Sequence, residues 1–118
     1  MLHLSASCTY YFYNSAVDMR KGFDSLSGLI QQLQLNILSG SIFIFINKKR
    51  NQVKLLLWEG DGLSLYYKRL EQGTYELPHS SNESSCVTLS AQQLQLILQG
   101  IQLKSVKMKK RYQLHVGK

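Results

Sequence analysis

The chain has 118 residues, 14 Lys and Arg against 7 Asp and Glu, a formal net charge of +7, and a 44% apolar share. That is one domain's length, too apolar to be disordered and without the roughly 18-residue apolar run of a membrane span; Met1-Leu2-His3-Leu4, with no basic n-region, predicts no secretory leader. Two cysteines, Cys8 and Cys86, are too few for a disulfide framework and read as free thiols of a cytoplasmic protein, while the positive excess points to an anionic partner.

In chain order, Tyr10, Tyr11, Phe12 and Tyr13 form a short candidate strand. Met19, Phe23, Leu26, Ile30 and Leu33 then recur at helical spacing, with Asp18 in the N-cap position, so the pattern predicts a helix over 19–35. Residues 41–47, apolar on both faces, predict a central strand. Lys48, Lys49, Arg50 and Asn51 make a polar turn before a strand at 53–58. Glu59, Gly60, Asp61 and Gly62 supply a glycine-bearing hairpin turn before a strand at 63–70, and 74–77 is a candidate fourth strand ended by Pro78. The Ser-rich stretch 79–89 reads as a loop. Ser90 and Gln93 have capping-box spacing, and Ala91, Leu94, Ile97 and Leu98 share a helix face that Gly100 can close.

The expected fold is therefore α+β: an N-terminal helix, a three- to four-stranded antiparallel β-meander, a second helix, and a basic C-terminal arm. Residues 1–103 form one domain and 104–118 the arm. The turns set the register, placing Ile42, Ile44 and Ile46 opposite Leu57, Leu55 and Val53, and Trp58, Leu56 and Lys54 opposite Leu63, Leu65 and Tyr67. The isoleucine face is the expected seat of the first helix. The face of Phe43, Phe45, Leu56 and Trp58 is left for the second helix, the N-terminal aromatic segment or a partner.

Three strings are specific: Asp18-Met19-Arg20-Lys21-Gly22-Phe23-Asp24-Ser25-Leu26; Leu38-Ser39-Gly40-Ser41-Ile42-Phe43-Ile44-Phe45; and the block from Lys49-Arg50-Asn51-Gln52-Val53-Lys54 through Trp58-Glu59-Gly60-Asp61-Gly62 to Tyr66-Tyr67-Lys68-Arg69-Leu70-Glu71. In this order the chain resembles the small accessory proteins, Orf2 or TnpB, of bacterial insertion-sequence family sixty-six, which are unrelated to the RNA-guided nuclease also called TnpB. The resemblance covers about residues 10–78, with a looser fit over the helix at 90–100, and it departs from the family pattern at Leu35-Asn36-Ile37 and in the Ser-rich loop. It implies a role in transposition beside a separately encoded transposase, without an established biochemical activity.

The chemistry-bearing residues are mostly cations. Arg20 and Lys21 at a helix start oppose the helix dipole unless an anion joins them; pairing with Asp24 is the plainer alternative. Lys48, Lys49 and Arg50 at a hairpin tip, with Lys54, Lys68 and Arg69 on neighbouring strands, make a basic ribbon suited to phosphate contacts. Tyr66 and Tyr67 interleave with it as a single-strand site requires, and Phe43 and Phe45 could extend that platform or fill the core. Lys107, Lys109, Lys110 and Arg111 load the arm. Asp18, Asp24, Glu59 and Asp61 are the only acidic residues that could suggest a metal-dependent nuclease, and turn chemistry accounts for two of them. No residues have the spacing of a metal or cofactor site, so none is expected.

The expectation is a non-enzymatic transposition factor that contacts DNA, at the element ends, or the transposase–DNA complex, with room for a homo-oligomer. The alternative is an interaction module that bridges transposase subunits and touches DNA little.

Overall fold

The structure, a computed structural model, describes residues 8–77 and 85–99. Five strands form one sheet: β1 (Tyr10–Tyr13), β2 (Ile42–Ile46), β3 (Gln52–Trp58), β4 (Leu63–Arg69) and β5 (Cys86–Leu89), in the spatial order β4-β3-β2-β1-β5. Two helices pack on it, α1 (Phe23–Gln32) and α2 (Ala91–Gln99), and a short 3-10 helix, Ile37–Ser39, precedes β2. The fold is α+β, but the sheet is mixed. β1 pairs parallel with β2 and antiparallel with β5, and a strand rather than a helix comes first.

β2, β3 and β4 form the expected antiparallel meander in the expected register. Ile44 lies opposite Leu55, Ile46 opposite Val53, Leu56 opposite Leu65 and Lys54 opposite Tyr67. Turn chemistry fixes this locally. Gly60 takes a φ of +97°, and Glu59 N–H donates to the Gly62 carbonyl at 2.9 Å. β2 is buried along its whole length, as a strand covered on both faces must be.

The two covers are exchanged relative to expectation. α1 buries Leu26 and Ile30 against Phe43, Phe45 and Leu56. α2 buries Leu94 and Ile97 against Ile42, Ile44, Ile46, Val53 and Leu55. The reason is β1: its parallel pairing with β2 makes α1 a crossover helix, and a crossover's face follows from its hand. The N-terminal aromatic segment is thus a strand of the sheet rather than a cover. Tyr11 stacks on Phe43 at 5.5 Å between ring centres, and Tyr13 tilts against Phe45.

Further expectations are corrected. α1 begins at Phe23, not at residue 19, and its N-cap is Gly22; Asp18 instead closes a turn, accepting from Arg20 N–H at 2.9 Å. Met19 is half-buried and Phe23 is exposed, so the apolar stripe of α1 reduces to Leu26 and Ile30. Residues 74–77 form no strand: Tyr75 is buried and its N–H donates to the Arg50 carbonyl at 2.7 Å. The stretch expected to be loop to residue 89 contains β5, whose four residues gain a ladder only because β1 lies beside them.

The α2 start is as expected. Gln93 N–H donates to Ser90 Oγ at 3.1 Å, and Ser90 N–H donates to Gln93 Oε1 at 2.9 Å, a reciprocal capping box. Cys8 and Cys86 are free thiols, and burial pushes the Cys86 thiol up. Among the described residues no helix is long and apolar enough to cross a membrane. The basic arm and its Lys107, Lys109, Lys110 and Arg111, with most of the Ser-rich loop, lie outside the described residues.

Candidate nucleic-acid interface

All eight lysines and arginines among the described residues gather at one end of the sheet: Arg20, Lys21, Lys48, Lys49, Arg50, Lys54, Lys68 and Arg69. The topology brings them together. The β2–β3 tip carries Lys48, Lys49 and Arg50. β4 returns beside it, with Lys68 opposite Val53 and Arg69 opposite Gln52. The segment after β1 arrives at the same end, where Val17 N–H donates to the Ile46 carbonyl at 3.0 Å. Asp18, Asp24, Glu71 and Glu76 share this end, which leaves an excess of 8 − 4 = 4 positive charges there. Glu59 and Asp61 sit in the opposite turn, about 20 Å away along seven-residue β3.

The tip is tied down by two asparagines that sequence reasoning passed over. Asn47 Oδ1 accepts from the N–H groups of Asn51 and Gln52, each at 3.0 Å, and Asn47 Nδ2 donates to Asn51 Oδ1 at 2.8 Å. Arg50 N–H donates to the Asn47 carbonyl at 3.0 Å, with Arg50 at a φ of +61°. Side-chain amides of this kind commonly close turns, and Asn on both sides of Lys-Lys-Arg was the available signal. Lys48, Lys49 and Arg50 therefore project from a fixed loop, all three exposed.

Lys54 plays a different part from the other cations. It is 7% exposed, and its ammonium donates to the carbonyls of Met19 at 2.7 Å and Lys21 at 2.8 Å. The same ammonium lies 4.9 Å from the ring centre of Tyr67, a cation–π distance. Its charge is spent on holding the 18–21 turn against the sheet. Arg20, in turn, pairs with Asp18 rather than Asp24, at 2.7 Å, from a 91% exposed side chain. The Arg20 hydrogen bond holds the Asp18 carboxyl down to about 2. An exposed pair of this kind contributes little to stability, so Arg20 can exchange Asp18 for another anion.

Between the 18–21 turn and the tip runs a groove of about 660 Å³, lined among others by Arg20, Lys48, Lys49, Gln52 and Tyr67. A smaller one of about 300 Å³ lies on the other side of the tip, beside Lys48 and Arg50. The pleat of β4 sends Tyr67 and Arg69 to the α1 face and Tyr66 and Lys68 to the α2 face. Phe43 and Phe45, weighed as base-stacking platforms, are 1% and 0% exposed and belong to the core; Tyr67 is 52% exposed. Among the described residues no three His, Cys, Asp or Glu side chains cluster as metal ligands.

Residues 8–108 match the family described as IS66 Orf2 like protein. Among curated proteins, the chain is 38% identical over 85 residues to the uncharacterized protein y4hO of Sinorhizobium fredii, covering 71% of this chain and 72% of that one. It is 29% identical over 94 residues to the uncharacterized protein y4jC of the same organism, covering 79% of each. No solved structure matches.

Proposed function

The chain belongs to the IS66 Orf2-like family of transposition accessory proteins, and on that premise we propose that it is a non-enzymatic factor that contacts DNA through the basic end of its sheet. The observation that carries this reading is the gathering of every described lysine and arginine at that end, three of them, Lys48, Lys49 and Arg50, on a tip clamped by Asn47 and Asn51. Phosphate contacts position a protein on nucleic acid, and cations held in place lose less conformational freedom on binding. Seven cations serve this role: Arg20, Lys21, Lys48, Lys49, Arg50, Lys68 and Arg69; Lys54 positions the turn that carries two of them. The DNA is that of the element ends, met in the cytoplasm together with the separately encoded transposase.

A second reading, an interaction module between transposase subunits or copies of this chain, is favoured by one feature. β4 is an outer strand of the sheet and exposes Tyr66 and Tyr67, the setting in which another chain can add. A gel shift on duplexes of the element ends, across a salt series, with and without transposase, separates the two. Direct binding that weakens steeply with salt supports the first. A shift seen only with transposase supports the second.

A further inference from the structure

We propose that the groove between the 18–21 turn and the β2–β3 tip seats one unpaired nucleotide of a single strand, its phosphate against Lys48, Lys49 and Arg20 and its base stacked on Tyr67. This rests on the nucleic-acid reading of the basic end and goes beyond it. Duplex backbone contact requires cations alone, whereas this groove combines them with a presented ring.

The size fits: about 660 Å³ falls within the roughly 300–1,000 Å³ of small-ligand sites. The ring is in the right state. Tyr67 is 52% exposed, unlike Phe43 and Phe45 on the same sheet face, so it does not serve the core. It is also fixed, because its hydroxyl donates to Gln52 Oε1 and the Lys54 ammonium lies 4.9 Å from its centre. A ring already held loses little freedom when a base stacks on it. With Oε1 of Gln52 engaged by Tyr67, the Gln52 amide NH₂ remains the donor at the groove wall.

The groove lining carries three cations, Lys48, Lys49 and Arg20, against one carboxylate, Asp18. Lys48 and Lys49 are exposed and line the groove. Arg20 is paired with Asp18, which makes the two lysines the principal phosphate contacts and Arg20 a third that exchanges partners. A base inside a duplex has both faces covered by its neighbours and would have to leave the stack to reach Tyr67. An unpaired base has a free face, and stacking on an aromatic ring tolerates any base identity.

The test is fluorescence anisotropy with short labelled oligothymidylate, oligouridylate and a blunt-ended duplex of two complementary strands, on the full chain and on Tyr67→Ala, Tyr67→Leu and Tyr67→Phe. The expected result is that Tyr67→Ala and Tyr67→Leu weaken single-strand binding by about five- to a hundredfold, leave duplex binding unchanged, and melt with the parent by circular dichroism. Tyr67→Phe, which keeps the ring beside the Lys54 ammonium but loses the hydroxyl bond to Gln52, retains most of the affinity. Binding of either single strand that depends on the Tyr67 ring supports the seat. Equal loss on single strand and duplex overturns it. Duplex binding without single-strand binding by the parent also overturns it and leaves the basic-end reading standing. Binding to neither overturns both.

Discussion

The ammonium of Lys54 donates to the backbone carbonyl of Lys21 at 2.8 Å, so a buried lysine on β3 holds in place the turn that displays another. With its second bond, to Met19 at 2.7 Å, it explains why α1 starts at Phe23: the carbonyls before it are engaged by a side chain from the sheet. Lys54→Met keeps most of the stem's volume and removes both bonds. It is expected to destabilise the fold by about 2 kcal/mol, the scale of hydrogen bonds from a charged donor. Urea unfolding measures it; an unchanged midpoint contradicts the role.

Leu55 and Leu56 are adjacent on β3 and buried in different cores, one under α2 and the other under α1. Leu55→Ala and Leu56→Ala should each cost about 2–5 kcal/mol. Leu57, half-buried, should cost less than either. A near-neutral result for Leu56→Ala would mean that α1 does not cover the Phe43–Phe45 face.

The Asp18 carboxyl is held down from 3.8 to about 2, first by its side-chain hydrogen bond from Arg20. A carboxyl with a lowered folded-state value contributes stability that is complete above 3.8 and lost as pH falls through about 2. Arg20→Gln, which leaves the residue-20 backbone N–H bond to Asp18 in place, should move the Asp18 titration, followed by carboxyl carbon NMR, upward toward the ordinary carboxylate range. It should also reduce this group's share of the acid-side loss in that window. An unmoved titration in the variant contradicts the pairing.

Arg50 sits at a φ of +61°, where a side chain is strained and glycine is not. Arg50→Gly should leave stability unchanged or raise it by up to about 1 kcal/mol, yet weaken DNA binding by the loss of one cation. Thermal melting and a binding titration on the same variant check both halves. A variant that melts lower shows that the tip needs the arginine for its fold.

What was legible in the sequence was local. The register of β2, β3 and β4 follows from two turns and a period of two, and the Ser90–Gln93 capping box from three-residue spacing. What was not legible depends on partners distant in sequence. β1 joins β2 in parallel across 32 residues, Tyr10 against Ile42, and no turn encodes such a pair. β5 exists because β1 is there, and the side taken by α1 follows from the crossover. For the interface, the cation clusters were visible as strings, and their meeting at one end follows from topology. The withdrawal of Lys54 was hidden, because a lysine on a strand looks the same whether it meets solvent or two carbonyls.

The most direct measurement of the central claim is the salt dependence of DNA affinity for the parent chain and for the Lys48→Ser/Lys49→Ser/Arg50→Ser variant. Each phosphate neutralised contributes about 0.9 to the slope of log affinity against log salt. The basic-end reading expects the parent to bind duplex at low salt with a steep linear slope, and the variant's slope to be shallower by up to about 3. A parent that does not bind, or a variant whose slope matches the parent's, contradicts it.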